Sequence, residues 1–140
     1  STPKPSSAAS DVYKRQFQAL RTLNQTYKTF AVSNCDDAML STITKNLQLP
    51  WENLISAQKA QAYKPEEAFY KFVISETGVT PDKILLVSSN LSDLQGASLS
   101  GMKTAYIKRV EEFGYYEVPN SINEEHDFEL DDLVQLANQL

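Results

Sequence analysis

The sequence has few of the residues that build several common kinds of site. Its one cysteine, Cys35, excludes a disulfide within the chain and fits a reducing compartment. Its one histidine, His126, lies in a polar stretch and receives no role, which rules out a His-based triad or a His-rich metal site. Lysine and arginine total 13 against 18 acidic residues, so a net charge of −5 leaves no footprint for nucleic acid or an anionic membrane. No apolar run approaches the roughly 20 residues of a membrane span. These absences favour a cytoplasmic protein without nucleic-acid or membrane partners.

The 140 residues, 41% of them hydrophobic, fit one domain in which apolar runs alternate with helical patterns. Strands are predicted at 29–32, 54–56, 84–87 and 104–107. Helices are predicted at about 17–26, from Asp36 or Asp37 onward, from Pro65 to Gly78, at 91–100, and from Asp131 or Asp132 onward. In the second of these helices the inward residues are Leu40, Ile43 and Leu47, and in the third they are Phe69, Phe72 and Val73. Residues 108–126 are expected to be irregular. This alternation predicts an α/β fold with a doubly wound parallel sheet.

The first 16 residues differ in composition from the rest of the chain. They are rich in Ser, Ala and Pro and show no apolar periodicity, which is typical of a disordered tail. The stretch from Ser6 to Gln16 also matches, codon for codon, the translation of a transposase-type sequencing adapter. We therefore interpret residues 1–16 as a disordered artefact and residues 17–140 as the biological sequence, which starts at or near Phe17.

Small polar residues follow several of the predicted strands, and a lysine precedes one of the predicted helices. These residues are Ser33, Asn34, Lys64, Tyr70, Ser88, Ser89, Asn90 and Asp93. In an open parallel sheet, ligands bind in the crevice outside the carboxyl ends of the strands. Taken singly, each residue has an ordinary structural use: Ser33 and Asn34 as a turn or helix cap, and Tyr70 as a half-buried tyrosine with a hydrated hydroxyl. Taken together and in this order, they predict one polar crevice with a lysine at its centre.

Three motifs in this set resemble those of a known family. Val32–Asn34 matches a hydrophobic strand that ends in Ser-Asn, and Tyr63–Pro65, with Tyr70 six residues past the lysine, matches a second motif. Val87–Asp93, which reads Val-Ser-Ser-Asn-Leu-Ser-Asp, matches a third. From about Phe17 to Leu140 the chain resembles the C-terminal part of a haloacid dehalogenase (HAD) superfamily hydrolase, and within that superfamily it is most similar to the 2-haloacid dehalogenases.

The resemblance implies a carbon–halide hydrolase in which an aspartate carboxylate attacks the carbon bearing the halogen and water hydrolyses the resulting ester. It implies catalytic roles for Lys64, Asp93, Ser33, Asn34, Ser88 and Asn90, and substrate binding by Ser33, Asn34 and Tyr70. The substrate would be a small 2-halo acid. No metal or cofactor is expected, because Ser89 stands where the Mg²⁺-dependent phosphatases of the superfamily have a carboxylate.

Several parts of the family pattern are missing from this sequence. It contains no Asp-x-aromatic-Gly-Thr motif for the nucleophile, and Asp11 is rejected because it lies inside the adapter-like stretch. The first strand, the helical cap and the substrate-binding arginine of the family are missing too, and Ser92 replaces a frequent aromatic residue. We therefore expect an inactive fragment that is unstable or aggregated, because strands that lose a central neighbour have open edges. A fragment of a Mg²⁺-dependent phosphatase and a non-catalytic doubly wound interaction module are the alternatives, and a homodimer is a possible assembly.

Overall fold

The computed structural model describes residues 5–46, 51, 53–108 and 126–140, which form six helices and five strands. In chain order these are α1 Pro5–Thr26, β1 Phe30–Ser33, α2 Asp37–Asn46, β2 Asn53–Ser56, α3 Ala57–Ala60, α4 Glu67–Thr77, β3 Leu85–Ser88, α5 Leu91–Leu99, β4 Lys103–Ile107, β5 Phe128–Leu130 and α6 Leu133–Gln139. A 3₁₀ turn at Pro81–Lys83 precedes β3. The predicted α/β class is confirmed. None of the helices in these residues combines the length and apolarity of a membrane span.

In the described residues the strands form two parallel sheets. β1 pairs with β2 in one sheet, and the order β3-β4-β5 forms the other. Within the described residues, β1 and β3 each have a strand partner on one side only. The same is true of β2 and β5 at the outer edges of the two sheets. A break between β1 and β3 is compatible with the expectation that a central strand is missing, since these two strands would be its neighbours.

Helices cover both faces of the second sheet, as expected of a doubly wound fold. Successive side chains of a strand point to opposite faces, and the packing follows this alternation. Leu86 and Tyr106 pack in one cluster with residues of α4 and α5, including Phe69 and Leu94. Leu85, Val87, Ala105 and Ile107 pack in the other cluster, together with Leu23 of α1 and Leu136 of α6. The chain thus places α4 and α5 on the face where the predicted lysine and aspartate lie.

The N-terminal segment differs from the disordered leader that composition predicts. A single helix runs from Pro5 to Thr26, so it includes residues 5–16 as well as the predicted helix at 17–26. Pro5 suits a first helical position, and no glycine or further proline interrupts the helix after it. The Leu133 N–H donates to Gln16 Oε1 at 2.9 Å, which ties this helix to α6. The origin of the leader stays a prediction.

Several predicted boundaries are corrected by one or two residues. The helix after Lys64 begins at Glu67 rather than at Pro65, because Glu66, its N-cap, has an extended backbone. The Lys64–Pro65 peptide bond is cis. Its end is as predicted, at Gly78 with a φ of +71°. The short α3 and β5 were not predicted, since three or four residues carry too little periodicity. Leu47, the side chain of Ile43 and most of the predicted irregular segment lie outside the described residues.

Candidate active site

Lys64 lies at the centre of the predicted crevice and is largely removed from water. Its ammonium nitrogen Nζ lies 3.0 Å from Asp93 Oδ2 and donates to the carbonyl oxygen of Val32, also at 3.0 Å. The lysine and aspartate side chains are 17% and 6% exposed, respectively. An ammonium has three N–H donors, and these two contacts leave one that can be directed to an anion. Lys64 therefore joins the end of β1 to the start of α5 and can still bind a negatively charged group.

Asn34 holds the backbone of Lys64 in place. The Lys64 N–H donates to Asn34 Oδ1 at 2.7 Å, and Asn34 Nδ2 donates to the Lys64 carbonyl at 3.5 Å. The two residues are 30 positions apart in the chain, so this contact brings the loop before α4 to the carboxyl end of β1. Asn34 is thus close to the lysine but uses part of its amide on the backbone rather than on a carboxylate.

Tyr70 is a buried hydrogen-bond donor to Asp93. The tyrosine has no solvent exposure, and its hydroxyl donates to Asp93 Oδ1 at 2.6 Å. Burial first, and then the hydrogen bond and negative charge of Asp93, raise the pKa of Tyr70 far above its ordinary value. The ordinary alternative, a half-buried tyrosine with a hydrated hydroxyl, does not apply, because the hydroxyl has a carboxylate partner inside the core. Substrate binding by Tyr70, which the family resemblance implies, stays a prediction. Phe72, predicted inward, is only partly buried, and Tyr70 takes its place among the buried residues of α4.

The loop between β3 and α5 fixes the backbone of Asp93. Asn90 is the N-cap of α5, and its Oδ1 accepts from the N–H groups of Ser92 at 3.0 Å and Asp93 at 3.3 Å. The Asn90 N–H in turn donates to Ser88 Oγ at 3.0 Å. These hydrogen bonds satisfy donors at the start of the helix. Ser88 and Asn90 thus lie beside the site and shape the loop that carries Asp93.

Ser56 at the end of β2, beside Ser33 of β1, is a buried polar residue that the sequence reasoning missed. Ser33 Oγ accepts from the Cys35 N–H at 3.3 Å, and Ser33 lies in register with Ser56. Ser56 is fully buried, and its hydroxyl donates to Asp37 while accepting from the Lys59 N–H. The signal for Ser56 was a polar residue at the end of an apolar run, the same signal that pointed to Ser33.

The structure therefore brings four of the predicted residues into direct contact: Asn34, Lys64, Tyr70 and Asp93. A buried ammonium next to a carboxylate that is itself hydrogen-bonded can hold an incoming anion and orient it. No group of three or more His, Cys, Asp or Glu side chains that could hold a metal ion is found in the part of the chain that the structure describes. The ammonium of Lys64 is the cation that this crevice offers.

Comparison with known proteins finds several dehalogenases. No protein-family model matches the chain. The (S)-2-haloacid dehalogenase 4A of Burkholderia cepacia is 35% identical over 85 residues, which cover 59% of this chain and 37% of that protein. Haloacetate dehalogenase H-2 of Moraxella sp. (strain B) is 34% identical over 94 residues, which cover 65% of this chain and 42% of that protein.

Solved structures agree with the sequence matches. The crystal structure of an L-2-haloacid dehalogenase is 27% identical, with a TM-score of 0.81 over 88% of this chain and 55% of that chain. The crystal structure of a defluorinating L-2-haloacid dehalogenase is 26% identical, with a TM-score of 0.82 over 89% of this chain and 51% of that chain. The chain thus spans less than half the length of these curated relatives and about half the length of these crystallised proteins.

Proposed function

The chain is related in sequence and fold to the 2-haloacid dehalogenases of the HAD superfamily, and on this premise we propose that it is part of a hydrolase that acts on carbon–halide bonds. The observation that carries the proposal is the position of Lys64. Its ammonium lies in a water-poor crevice beside Asp93, at the carboxyl ends of β1 and β3, where ligands of parallel sheets bind.

In the proposed reaction, an aspartate carboxylate oxygen forms a bond to the carbon that bears the halogen. The carbon–halogen bond breaks, and the halide leaves with the bonding electrons. Water then hydrolyses the ester, which releases a hydroxy acid and a proton and regenerates the carboxylate. The nucleophile motif is missing from this sequence, so the attacking aspartate would have to come from a segment beyond it.

The residues of this chain would serve that carboxylate. The free N–H of Lys64 would neutralise and orient it, and Asp93 would keep Lys64 in place and help to position the hydrolytic water. Tyr70 would fix Asp93, while Ser88 and Asn90 would hold the loop that presents it. The Ser33 hydroxyl and the second amide N–H of Asn34 would donate to the carboxylate of the substrate.

We further propose a small 2-halo acid as substrate and no metal or cofactor. The relatives act, by their names, on (S)-2-haloacids or haloacetate. A lysine ammonium and one carboxylate at this site suit a substrate anion, whereas Mg²⁺ favours several anionic oxygen ligands. A cytoplasmic location and a homodimer complete the proposal; the single cysteine is compatible with the former.

The chain as it stands would be inactive, since it lacks the nucleophile motif. We also propose that residues 1–16 derive from a sequencing adapter and that the intact protein carries an Asp-x-aromatic-Gly-Thr strand end about a hundred residues before Ser33, as the family resemblance implies. Reading the coding sequence upstream of Phe17 tests this directly. An unrelated upstream sequence would remove the support for an enzyme and favour the non-catalytic module.

The activity is tested on a polypeptide that restores such an upstream segment. We expect halide release from 2-chloropropionate without added Mg²⁺, and a loss of about a hundredfold or more in kcat for Lys64→Ala. Lys71→Ala is the matched control, because Lys71 is an exposed lysine of α4. Mg²⁺-dependent phosphate release from p-nitrophenyl phosphate, with no halide release, would move the protein to the phosphatase branch.

A further inference from the structure

Gly96 leaves room for the ring of Tyr70 between α4 and α5. A Cβ atom at this position would lie 2.4 Å from Cε2, 2.8 Å from Cζ and 3.0 Å from the hydroxyl oxygen of Tyr70. Carbon atoms in contact are normally about 3.5–4.0 Å apart. No side chain, not even the methyl group of alanine, therefore fits at position 96 while Tyr70 stays where it is.

The ring of Tyr70 cannot easily move aside. It is fully buried, it packs edge-on against Phe69 with ring centroids 5.6 Å apart, and its hydroxyl is bound to Asp93. Asp93 and Gly96 are three residues apart on α5, so they lie on the same face of that helix. The ring lies across Gly96 and its hydroxyl reaches Asp93 on the same helix.

We propose that Gly96 is a positioning residue that acts on the site through Tyr70. Tyr70 binds Oδ1 of Asp93, which leaves Oδ2 for Lys64. Because the two oxygens have different partners, the tyrosine fixes the rotation of the carboxylate and hence the position of the ammonium. A side chain at position 96 would displace the tyrosine hydroxyl, and the Asp93 carboxylate would then be free to rotate. The consequence for dehalogenation depends on the proposed function, whereas the positioning itself does not.

Helix propensity makes the opposite prediction about this glycine. Glycine inside a helix is destabilising relative to alanine, so Gly96→Ala would raise the urea midpoint if the position were merely helical. The contact with Tyr70 predicts a lower midpoint instead. Ser98→Ala is the matched control, because Ser98 is an exposed residue of the same helix.

The first experiment follows the tyrosine directly, by NMR of the chain labelled with ¹³C at Cζ of tyrosine, with Tyr70→Phe identifying the Tyr70 signal. We expect the signal of Tyr70 to shift in Gly96→Ala and its pKa to move down toward the ordinary value of about 10, because the displaced hydroxyl becomes less buried and leaves Asp93. Ser98→Ala should leave both unchanged. An unchanged Tyr70 signal and pKa in Gly96→Ala would overturn the proposal.

The second experiment asks whether the effect of Gly96→Ala depends on Tyr70. In a Tyr70→Leu background, which removes the ring, Gly96→Ala should no longer lower the urea midpoint. If Gly96→Ala alone fails to fold, recovery of folded protein in the double variant supports the proposal. An equal loss in both backgrounds, or a folded Tyr70→Leu variant that Gly96→Ala unfolds, would refute it. Neither experiment uses a halo acid, so a failure here is distinct from a failure of the proposed function.

Discussion

Replacing Asp93 by alanine is expected to lower the free energy of unfolding by about 3 kcal/mol. The change leaves the Lys64 ammonium, whose side chain is 17% exposed, without its carboxylate, and the buried Tyr70 hydroxyl without its acceptor. Removing one partner of a buried ion pair costs about 3–5 kcal/mol. We expect the lower end, because Lys64 keeps the Val32 carbonyl as a partner and is near enough to the surface for some hydration.

The same reasoning predicts a difference between single and double substitutions. Lys64→Met should also lower the free energy of unfolding, since it leaves the Asp93 carboxylate, whose side chain is 6% exposed, without its ammonium partner. The double variant Lys64→Met, Asp93→Ala should cost less than the two single variants together, because it leaves neither charge without its partner. The coupling energy from this double-mutant cycle measures the interaction of the two buried charges.

Urea unfolding followed by circular dichroism measures these values, with all variants at one low protein concentration, because association through the open strand edges depends on concentration. The control is the pair Glu67–Lys71 on α4, whose atoms lie 3.1 Å apart but whose side chains are 74% and 69% exposed. Breaking this pair should cost only about 0.3–0.5 kcal/mol. If Asp93→Ala costs no more than Lys71→Ala, the buried cluster does not contribute as we argue, and the reasoning is refuted.

Stability should fall as pH rises above about 10 by up to about 1.4 kcal/mol per pH unit, because the raised pKa of folded Tyr70 means that the unfolded state loses its proton first. This slope should be smaller in Tyr70→Phe, and an identical slope in urea titrations at pH 9 to 11 would contradict the assignment. Asn90→Ala should cost about 1 kcal/mol through loss of the α5 cap, with Asn90→Asp as the variant that retains an acceptor; equal losses in both would exclude capping as the cause. The chain should associate through the open edges of β1 and β3, so sedimentation velocity that finds a monodisperse monomer with a cooperative thermal transition would disprove the expected instability.

The polar crevice could be predicted because its signals are local. A strand that ends in Ser33 and Asn34, a lysine before a helix, and Asp93 in the first turn of α5 are each visible in a few residues of sequence. Parallel strands place their carboxyl ends at one edge, so the order of the motifs was enough to predict that they meet. Gly78 as a helix end follows from its tolerance of positive φ.

Other features depend on residues that are distant along the chain. The sequence showed that Tyr70 stands six residues past Lys64, but not that it is buried, because burial depends on α5 and on the space at Gly96. The partner of the Asn34 amide was equally out of reach, since the Lys64 backbone lies 30 residues away. The helical course of residues 5–16 differs from the composition-based expectation, as α1 is tied to α6 across the molecule.

The amino-acid sequence by itself determined the α/β alternation, the relation to the dehalogenases and the identity of the charged pair, because these depend on residue types and short spacings. Only the tertiary structure decided how that pair is arranged. It divides the described strands into two sheets and gives one oxygen of Asp93 to Tyr70 and the other to Lys64. It also places the Tyr70 ring against Gly96, where a side chain would displace it from Asp93. The physical reason is that close packing and hydrogen-bond direction are set jointly by several elements, and no single segment carries that information.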